Sequence, residues 1–128
     1  MNAISNIENL QIGLTFQDNN SLTQISGFNQ IQELNIVSFV NNNSLLAITG
    51  FNSLASLTES SDDQVNTLGT IHINHNDNLS NINAFNNLSN VNGFIKIVNN
   101  NSLSNINNTL NNLNNIGYTL RIKNNLLL

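Results

Sequence analysis

The stretch Gly93–Ile106 reads GFIKIVNNNSLSNI, and the rest of the chain repeats its pattern. Ile95 and Ile97 are two residues apart, the period that is typical of a β-strand with one buried face. Three Asn residues follow, and then Leu103 and Ile106 are three residues apart. A short strand, an Asn run and apolar residues at every third position together predict one unit of a repeat protein.

Five copies of this strand align on their first apolar residue. The spacings between successive copies are 23, 34, 24 and 25 residues. The aligned residues are Leu14, Val37, Ile71, Ile95 and Leu120. The one long spacing holds an insertion of about ten residues at 58–68, reading TESSDDQVNTL. A nearly constant spacing of 23 to 25 residues is typical of a solenoid in which each repeat forms one coil.

The first and last residues of the chain fall inside repeats. Ile4, Ile7 and Leu10 match the last three apolar columns of one unit, and Leu128 lies in the middle of another. An array without polar capping turns exposes its core and its strand edges. We therefore expect residues 1–128 to form a single domain that is a fragment of a longer array or lacks its caps.

Apolar residues at every third position are also compatible with a helix. The residues between them, however, are mostly Asn, Ser and Gly, which favour turns and hydrogen bonds from side chain to backbone. The pattern therefore predicts corners that each direct one apolar side chain inward. The fold class that we expect is an all-β repeat, a right-handed parallel β-helix or leucine-rich solenoid of about five coils, with the insertion in one of them.

Asparagine dominates the composition, at 33 of 128 residues, and only 8% of the residues are charged. Such a bias can mark a low-complexity tract, but the fixed positions of Leu and Ile contradict that interpretation. One Asn column follows the strand in every copy. It consists of Asn19, Asn42, Asn76, Asn100 and Asn125. Asn tolerates left-handed backbone and its amide both donates and accepts, so the column predicts a structural asparagine ladder.

Charge and cysteine content exclude several classes of protein. The net charge is −4, from seven acidic and three basic residues, which argues against a nucleic-acid partner. No run of about 18 apolar residues is present, so we expect no membrane insertion within this segment. The chain has no Cys and therefore neither disulfides nor thiolate metal sites. No cofactor is expected, and the amino-terminal residues have no signal-peptide pattern.

The pattern G-x-apolar-x-I-x-x-N-x-x-L-x-x-I-x-x-F-x-x-L-x-x-I fits residues 93–116 and 69–91 best, and it resembles the receptor L-domain repeat. That leucine-rich repeat family includes ligand-binding domains of insulin- and epidermal-growth-factor-type receptors and many bacterial surface proteins. Leu103 follows Asn100 by three residues, whereas ordinary leucine-rich repeats have two. The receptor domains carry cysteines in their caps, so this chain resembles the microbial surface-protein members more closely.

The resemblance implies a right-handed β-helix with a flat sheet on one side. It also implies a role in recognition at an extracellular or cell-surface location. The family has no catalytic residues, so none is assigned to this chain.

The positions that differ between copies are the candidate site, because the recurring residues are explained by folding. The candidate ligand-binding residues on the sheet face are Ile36, Ser38, Val40, His72, Phe94, Lys96, Val98 and Arg121. Four of them are apolar and are predicted to be exposed together, which favours an interaction surface. The fifteen outward strand positions contain no carboxylate, so we expect no glycosidase-like chemistry and no enzyme.

Possible metal ligands also lie close together in the sequence. They are His72, His75 and Asp77 in one coil and Glu59, Asp62 and Asp63 in the insertion. The two His residues are three apart across a strand end and point to different sides, which favours a solvated polar surface over a zinc site. Metal binding by the acidic insertion remains an open alternative.

Two functions are compatible with this sequence. The first is a non-enzymatic recognition or adhesion module that binds a protein or a carbohydrate through its flat sheet. The second is a structural spacer in a longer repeat protein, with no specific ligand.

Overall fold

The computed structural model describes residues 13–60 and 68–128. These residues form an all-β structure without helices, as the sequence predicts. The apolar columns expected at Ile4, Ile7 and Leu10 lie outside the described residues. Most of the predicted insertion, including Asp62 and Asp63, also lies outside them. Within the described part of the chain, no helix is long and apolar enough to cross a membrane.

Twelve strands pair in parallel to form three sheets. Their bounds are β1 (Gly13–Gln17), β2 (Gln24–Ile25), β3 (Glu33–Leu34), β4 (Ile36–Val40), β5 (Ala47–Gly50), β6 (Ser56–Leu57), β7 (Thr70–Asn74), β8 (Asn81–Ala84), β9 (Asn90–Val91), β10 (Phe94–Val98), β11 (Asn115–Ile116) and β12 (Thr119–Lys123). The five-stranded sheet has the order β1-β4-β7-β10-β12, the four-stranded sheet β11-β9-β6-β3, and the three-stranded sheet β2-β5-β8.

The chain enters the five-, three- and four-stranded sheets in the same order each time. In the last copy a single bridge from Asn81 to Asn105 takes the place of a strand in the three-stranded sheet. The predicted repeat markers are direct partners across the five-stranded sheet. Leu14 pairs with Val37, Val37 with Ile71, Ile71 with Ile95, and Ile95 with Leu120. The register confirms the repeat spacings, including the long one.

The inward side chains of all three sheets form one hydrophobic cluster. Phenylalanine rings stack within it from copy to copy. The ring centroids of Phe28 and Phe51 are 5.0 Å apart, and those of Phe51 and Phe85 are 5.1 Å apart. Phe16 and Phe39 stack at 5.5 Å. Each such pair contributes about 0.5–1.5 kcal/mol beyond the area that it buries.

The residues of one of these two ring columns have an unusual backbone conformation. Phe28, Phe51 and Phe85 have φ between 54° and 61°, in the left-handed region. This conformation costs a non-glycine residue about 1–2 kcal/mol, whereas burial of a Phe side chain contributes about 1.5–3 kcal/mol. Burial and ring stacking therefore offset the backbone strain at this corner. In the last copy the left-handed residue is Asn108, which tolerates the conformation more easily.

A second left-handed corner follows each strand of the five-stranded sheet. Its residues are Asp18, Asn41, His75, Asn99 and Asn124, with φ between 52° and 58°. Asn, Asp and His are the residues, apart from Gly, that adopt this region most often. The left-handed backbone at this corner explains why the residue before each ladder Asn is Asp, Asn or His. The next residue in every copy belongs to the asparagine ladder.

In the ladder, each Asn side chain accepts a hydrogen bond from the backbone N–H of the ladder residue one copy earlier. These four bonds are 3.1, 3.0, 3.1 and 3.0 Å long, from Asn19 through Asn125. The same side chains donate to a backbone carbonyl of the earlier strand; Asn76 Nδ2, for example, lies 3.0 Å from the Phe39 oxygen. Asn42, Asn76 and Asn100 are completely buried. The amides satisfy backbone groups that would otherwise be unpaired inside the protein.

The last copy contains one additional residue beside Thr109, because Ile106 and Leu110 are four residues apart where Ile82 and Phe85 are three apart, a difference from which the sequence predicts a bulge. Thr109 is buried, and its hydroxyl donates a 2.7 Å hydrogen bond to the carbonyl of Ile82. Leu113 N–H donates to the Leu110 carbonyl, as Leu88 N–H does to that of Phe85. Leu110 therefore occupies the column that Phe85 occupies in the copy before it.

Candidate recognition surface on the five-stranded sheet

The outward side chains of the five-stranded sheet form three rows that cross all five strands. The first row is Gly13, Ile36, Thr70, Phe94 and Thr119; the second is Thr15, Ser38, His72, Lys96 and Arg121; the third is Gln17, Val40, Asn74, Val98 and Lys123. Because neighbouring strands are about 4.8 Å apart, each row spans about 19 Å. All eight candidate residues lie on this one surface.

The four apolar candidates are half-buried rather than exposed. In the first row Thr70 separates the apolar residues Ile36 and Phe94. In the third row Asn74 separates Val40 and Val98 in the same way. These residues therefore do not form the continuous apolar patch that the sequence suggested. Their flanks are covered because cross-strand neighbours lie only about 4.8 Å away on each side.

Ser38 offers a partner little surface, since only 9% of it is exposed. Its cross-strand neighbours are Thr15 and the larger His72.

The positive charges converge on one end of this surface. The chain has three basic residues in total, and all three are outward residues of β10 and β12. Lys96 is the cross-strand partner of Arg121, and Lys123 is that of Val98. A cleft of about 240 Å³ lies among them. We call it the cationic cleft; it is lined by Asn74, Lys96, Val98, Asn99, Arg121, Lys123 and Asn124. No carboxylate is among these lining residues.

Amide side chains form one wall of the cationic cleft. Asn99 Nδ2 donates to Asn74 Oδ1 at 3.1 Å, and Asn124 Nδ2 donates to Asn99 Oδ1 at 2.9 Å. Asn99 and Asn124 are residues of the left-handed corner, so the backbone holds them at matching positions in adjacent copies. These hydrogen bonds fix the direction in which each amide presents its donor and acceptor atoms.

An aromatic pair lies at the start of β10 and β12, in contact with Lys96. The rings of Phe94 and Tyr118 stack with centroids 5.1 Å apart, and 62% of Tyr118 is exposed. Lys96 Nζ is 4.6 Å from the centre of the Phe94 ring, a cation–π contact worth about 0.5–1 kcal/mol at an exposed site. Lys96 thus contacts the aromatic pair and also lines the cationic cleft.

Sequence reasoning missed Tyr118, because it precedes the strand and matches no repeat column. Two signals could have indicated it. It is the only Tyr of the chain, and it lies in the copy whose spacing is 25 residues.

His72 lies half-buried in the middle row, next to Lys96. Burial lowers the pKa of His72 below its ordinary value of 6.5, and the charges of Lys96 and His75 lower it further. His72 is therefore mainly neutral at pH 7 and can donate one hydrogen bond and accept another. Among the described residues, no group of three His, Asp or Glu side chains is placed to hold a metal ion.

The outer faces of the other two sheets have a different composition. Their outward residues are Gln24, Ala47, Thr49, Asn81 and Asn83 on the three-stranded sheet and Glu33, Ser56, Asn90 and Asn115 on the four-stranded sheet. These positions hold neither aromatic rings nor positive charges.

Comparison of the chain with known protein families, curated proteins and solved structures found no match.

Proposed function

We propose that this chain is a non-enzymatic recognition or adhesion module that binds its partner through the outer face of the five-stranded sheet. The proposal rests on one observation: the positively charged and aromatic side chains are concentrated on that face. All three basic residues and the stacked pair of half-buried Phe94 and exposed Tyr118 lie there, whereas the other two outer faces carry mostly small or amide side chains. Surfaces that bind partners are enriched in Tyr, Phe and Arg.

The architecture that fits this role is a right-handed parallel β-helix, or leucine-rich solenoid, of about five coils. Its support is that the chain enters the three sheets in a constant order and that equivalent residues pair from copy to copy. Stacked coils give one side a flat, extended surface on which outward residues vary without affecting the core. The resemblance to the receptor L-domain repeat supports the same role at an extracellular or cell-surface location.

The partner that we propose is a protein or a carbohydrate. The net charge of −4 disfavours nucleic acid, which requires extended positive charge. The absence of any carboxylate from the fifteen outward positions supports binding without catalysis, because acid–base hydrolysis of a polysaccharide needs such groups.

Two variants that each introduce one carboxylate test this proposal. Lys96→Glu places a carboxylate in the middle row of the five-stranded sheet face, and Asn83→Glu places one on the exposed face of the three-stranded sheet. Binding to a glycan array and to an array of cell-surface proteins would be measured for both variants and for the unmodified chain. Thermal unfolding would confirm that each variant is folded.

We expect Lys96→Glu to weaken binding at least about tenfold, the effect of losing one charge-assisted contact, while Asn83→Glu binds as the unmodified chain does. Equal losses in the two variants would show that the five-stranded sheet is not the binding face. No binding by the unmodified chain to either array would instead favour the structural spacer.

A further inference from the structure

The cationic cleft is the one strongly charged feature on the described surface of an acidic protein. Lys96, Arg121 and Lys123 are far fewer than the seven acidic residues of the chain, yet all three line the same cleft. Like charges on adjacent strands repel one another, so their grouping costs stability unless an anion lies between them. The arrangement therefore favours a ligand that brings its own negative charge.

The other lining groups suit a ligand with many hydroxyl groups. Asn74, Asn99 and Asn124 present amides whose orientation is fixed by their mutual hydrogen bonds. An amide can donate to one hydroxyl and accept from another, which a carboxylate or an ammonium group alone cannot do. Fixed donors and acceptors add specificity at a lower entropic cost than mobile side chains.

The aromatic pair supplies a flat apolar surface on the same face, at the opposite end of β10 and β12 from these amides. Tyr118 stacks on Phe94 and leaves more than half of its own surface open to solvent. A sugar ring has an apolar face of C–H groups and a polar edge of hydroxyl groups. The Tyr118 ring can bury the C–H face of one sugar and the amides can bind the hydroxyl edge of another, because Tyr118 and Asn124 are six residues, about 20 Å, apart along an extended strand.

We propose that the cationic cleft and the aromatic pair together bind an acidic polysaccharide, one whose sugar rings carry carboxylate or sulfate groups. Arg121 and Lys123 contact the acidic group, and the corner amides bind neighbouring hydroxyls. Tyr118 supports a sugar ring of the same chain. This assignment rests on the proposed recognition function of the sheet face and adds the chemical class of its ligand.

Polysaccharides of defined charge test the assignment. Polygalacturonate carries only carboxylates, heparin carries carboxylates and sulfates, dextran is neutral, and single-stranded poly(dT) carries phosphates without hydroxyl-rich rings. Binding of each to the unmodified chain would be measured by calorimetry at about 0.15 M salt, where weak surface charge effects are screened.

Three variants complete the experiment. The first is the double variant Arg121→Gln/Lys123→Gln, which keeps hydrogen-bonding capacity and removes the charge. The second is Tyr118→Ala. The control is Thr15→Gln, in the same row as Arg121 but on β1 at the other edge of the sheet. All of the substituted residues are exposed, so each variant should unfold at about the temperature of the unmodified chain.

We expect binding to polygalacturonate, to heparin or to both. The double variant should weaken it by at least about tenfold for each removed charge, and Tyr118→Ala by about threefold or more. Thr15→Gln should leave binding unchanged. Which of the two polymers binds more tightly identifies the acidic group as carboxylate or sulfate.

Other results would overturn the assignment. Equal binding to poly(dT) that Tyr118→Ala leaves intact would mean general attraction to polyanions. Binding to dextran that the double variant retains would contradict an acidic ligand but would keep the proposed recognition function. A lack of binding to either acidic polysaccharide would also overturn the assignment, and the comparison of Lys96→Glu with Asn83→Glu would then decide separately whether the sheet face binds any partner.

Discussion

Replacement of Asn76 by Ala removes the central member of the asparagine ladder. Asn76 Oδ1 accepts the backbone N–H of Asn42 at 3.0 Å, and Asn76 Nδ2 donates to the Phe39 carbonyl at 3.0 Å and to the Asn74 carbonyl at 3.2 Å. The bonds to Asn42 and Phe39 lie in a region from which water is excluded. Neither backbone group can find a solvent partner after the substitution.

The expected loss of stability follows from these two groups. A buried hydrogen-bonding group that loses its partner costs about 1–3 kcal/mol, so the free energy of unfolding should fall by about 2–6 kcal/mol. That is a large share of the stability of a typical domain. The substitution also leaves a cavity between two copies, which adds to the cost.

Asn19 provides a matched control, because it belongs to the same column but is exposed. Its side chain donates to the Gln17 carbonyl at 3.0 Å, a bond exposed to solvent, and to Asn42 Oδ1 at 3.2 Å, an oxygen that keeps the Asn19 backbone N–H as a second donor. Water can replace the lost contact, so Asn19→Ala should cost less than about 1 kcal/mol. Urea-induced unfolding followed by circular dichroism measures both variants. The reasoning is refuted if the two lose equal stability, or if Asn76→Ala costs less than about 1 kcal/mol.

Four further substitutions test burial, a buried hydroxyl and pH dependence, again by urea unfolding. Ile97→Ala, at a site that is 1% exposed, should cost about 2–5 kcal/mol, whereas Ile122→Ala, at a site that is 41% exposed, should cost less than half as much; similar losses would contradict the packing argument. Thr109→Val should cost about 1–3 kcal/mol, because the Ile82 carbonyl loses its donor; a gain in stability would show that the hydrogen bond contributes nothing. The pKa of His72 is lowered in the folded protein, so the unfolded chain binds a proton more tightly. The contribution of His72 to the free energy of unfolding is therefore fully present above pH 6.5 and is lost as the pH falls through the folded pKa. His72→Gln should remove this part of the pH dependence, and an unchanged profile would assign it to other groups.

The all-β class and the parallel pairing of the strands were predictable because their causes recur along the chain. Ile95 and Ile97 identify a strand, and their counterparts at nearly constant spacing predict which residues pair. The Asn column was predictable for the same reason, since only a corner that repeats in every copy explains one residue type at the same place. Thr109 shows where this reasoning is weaker. The extra residue was visible, but its buried hydrogen bond to Ile82 depends on the copy next to it.

The candidate surface was predictable only in part. The three rows follow from the period of two, so the outward residues could be named in advance. Their exposure could not, because it depends on which side chains lie across the sheet from them. Ser38 is buried although it faces outward, and Tyr118 is exposed outside every repeat column. The cationic cleft likewise includes the corner residues Asn99 and Asn124. The sequence does not show that the side chains of these corner residues line the same cleft as the strand residues.

The asparagine ladder also shows which part of this protein can change in length. The backbone of Asn42 is joined to the side chain of Asn76 across 34 residues, and the bond is 3.0 Å long. Asn76 and Asn100 are joined in the same way across 24 residues at 3.1 Å. Ten additional residues therefore alter no dimension of the ladder. For protein engineering, the sequence position of this insertion, 58–68, is the natural place to add a peptide epitope or an affinity tag, because the spacing between copies already differs there while the ladder bonds stay the same length.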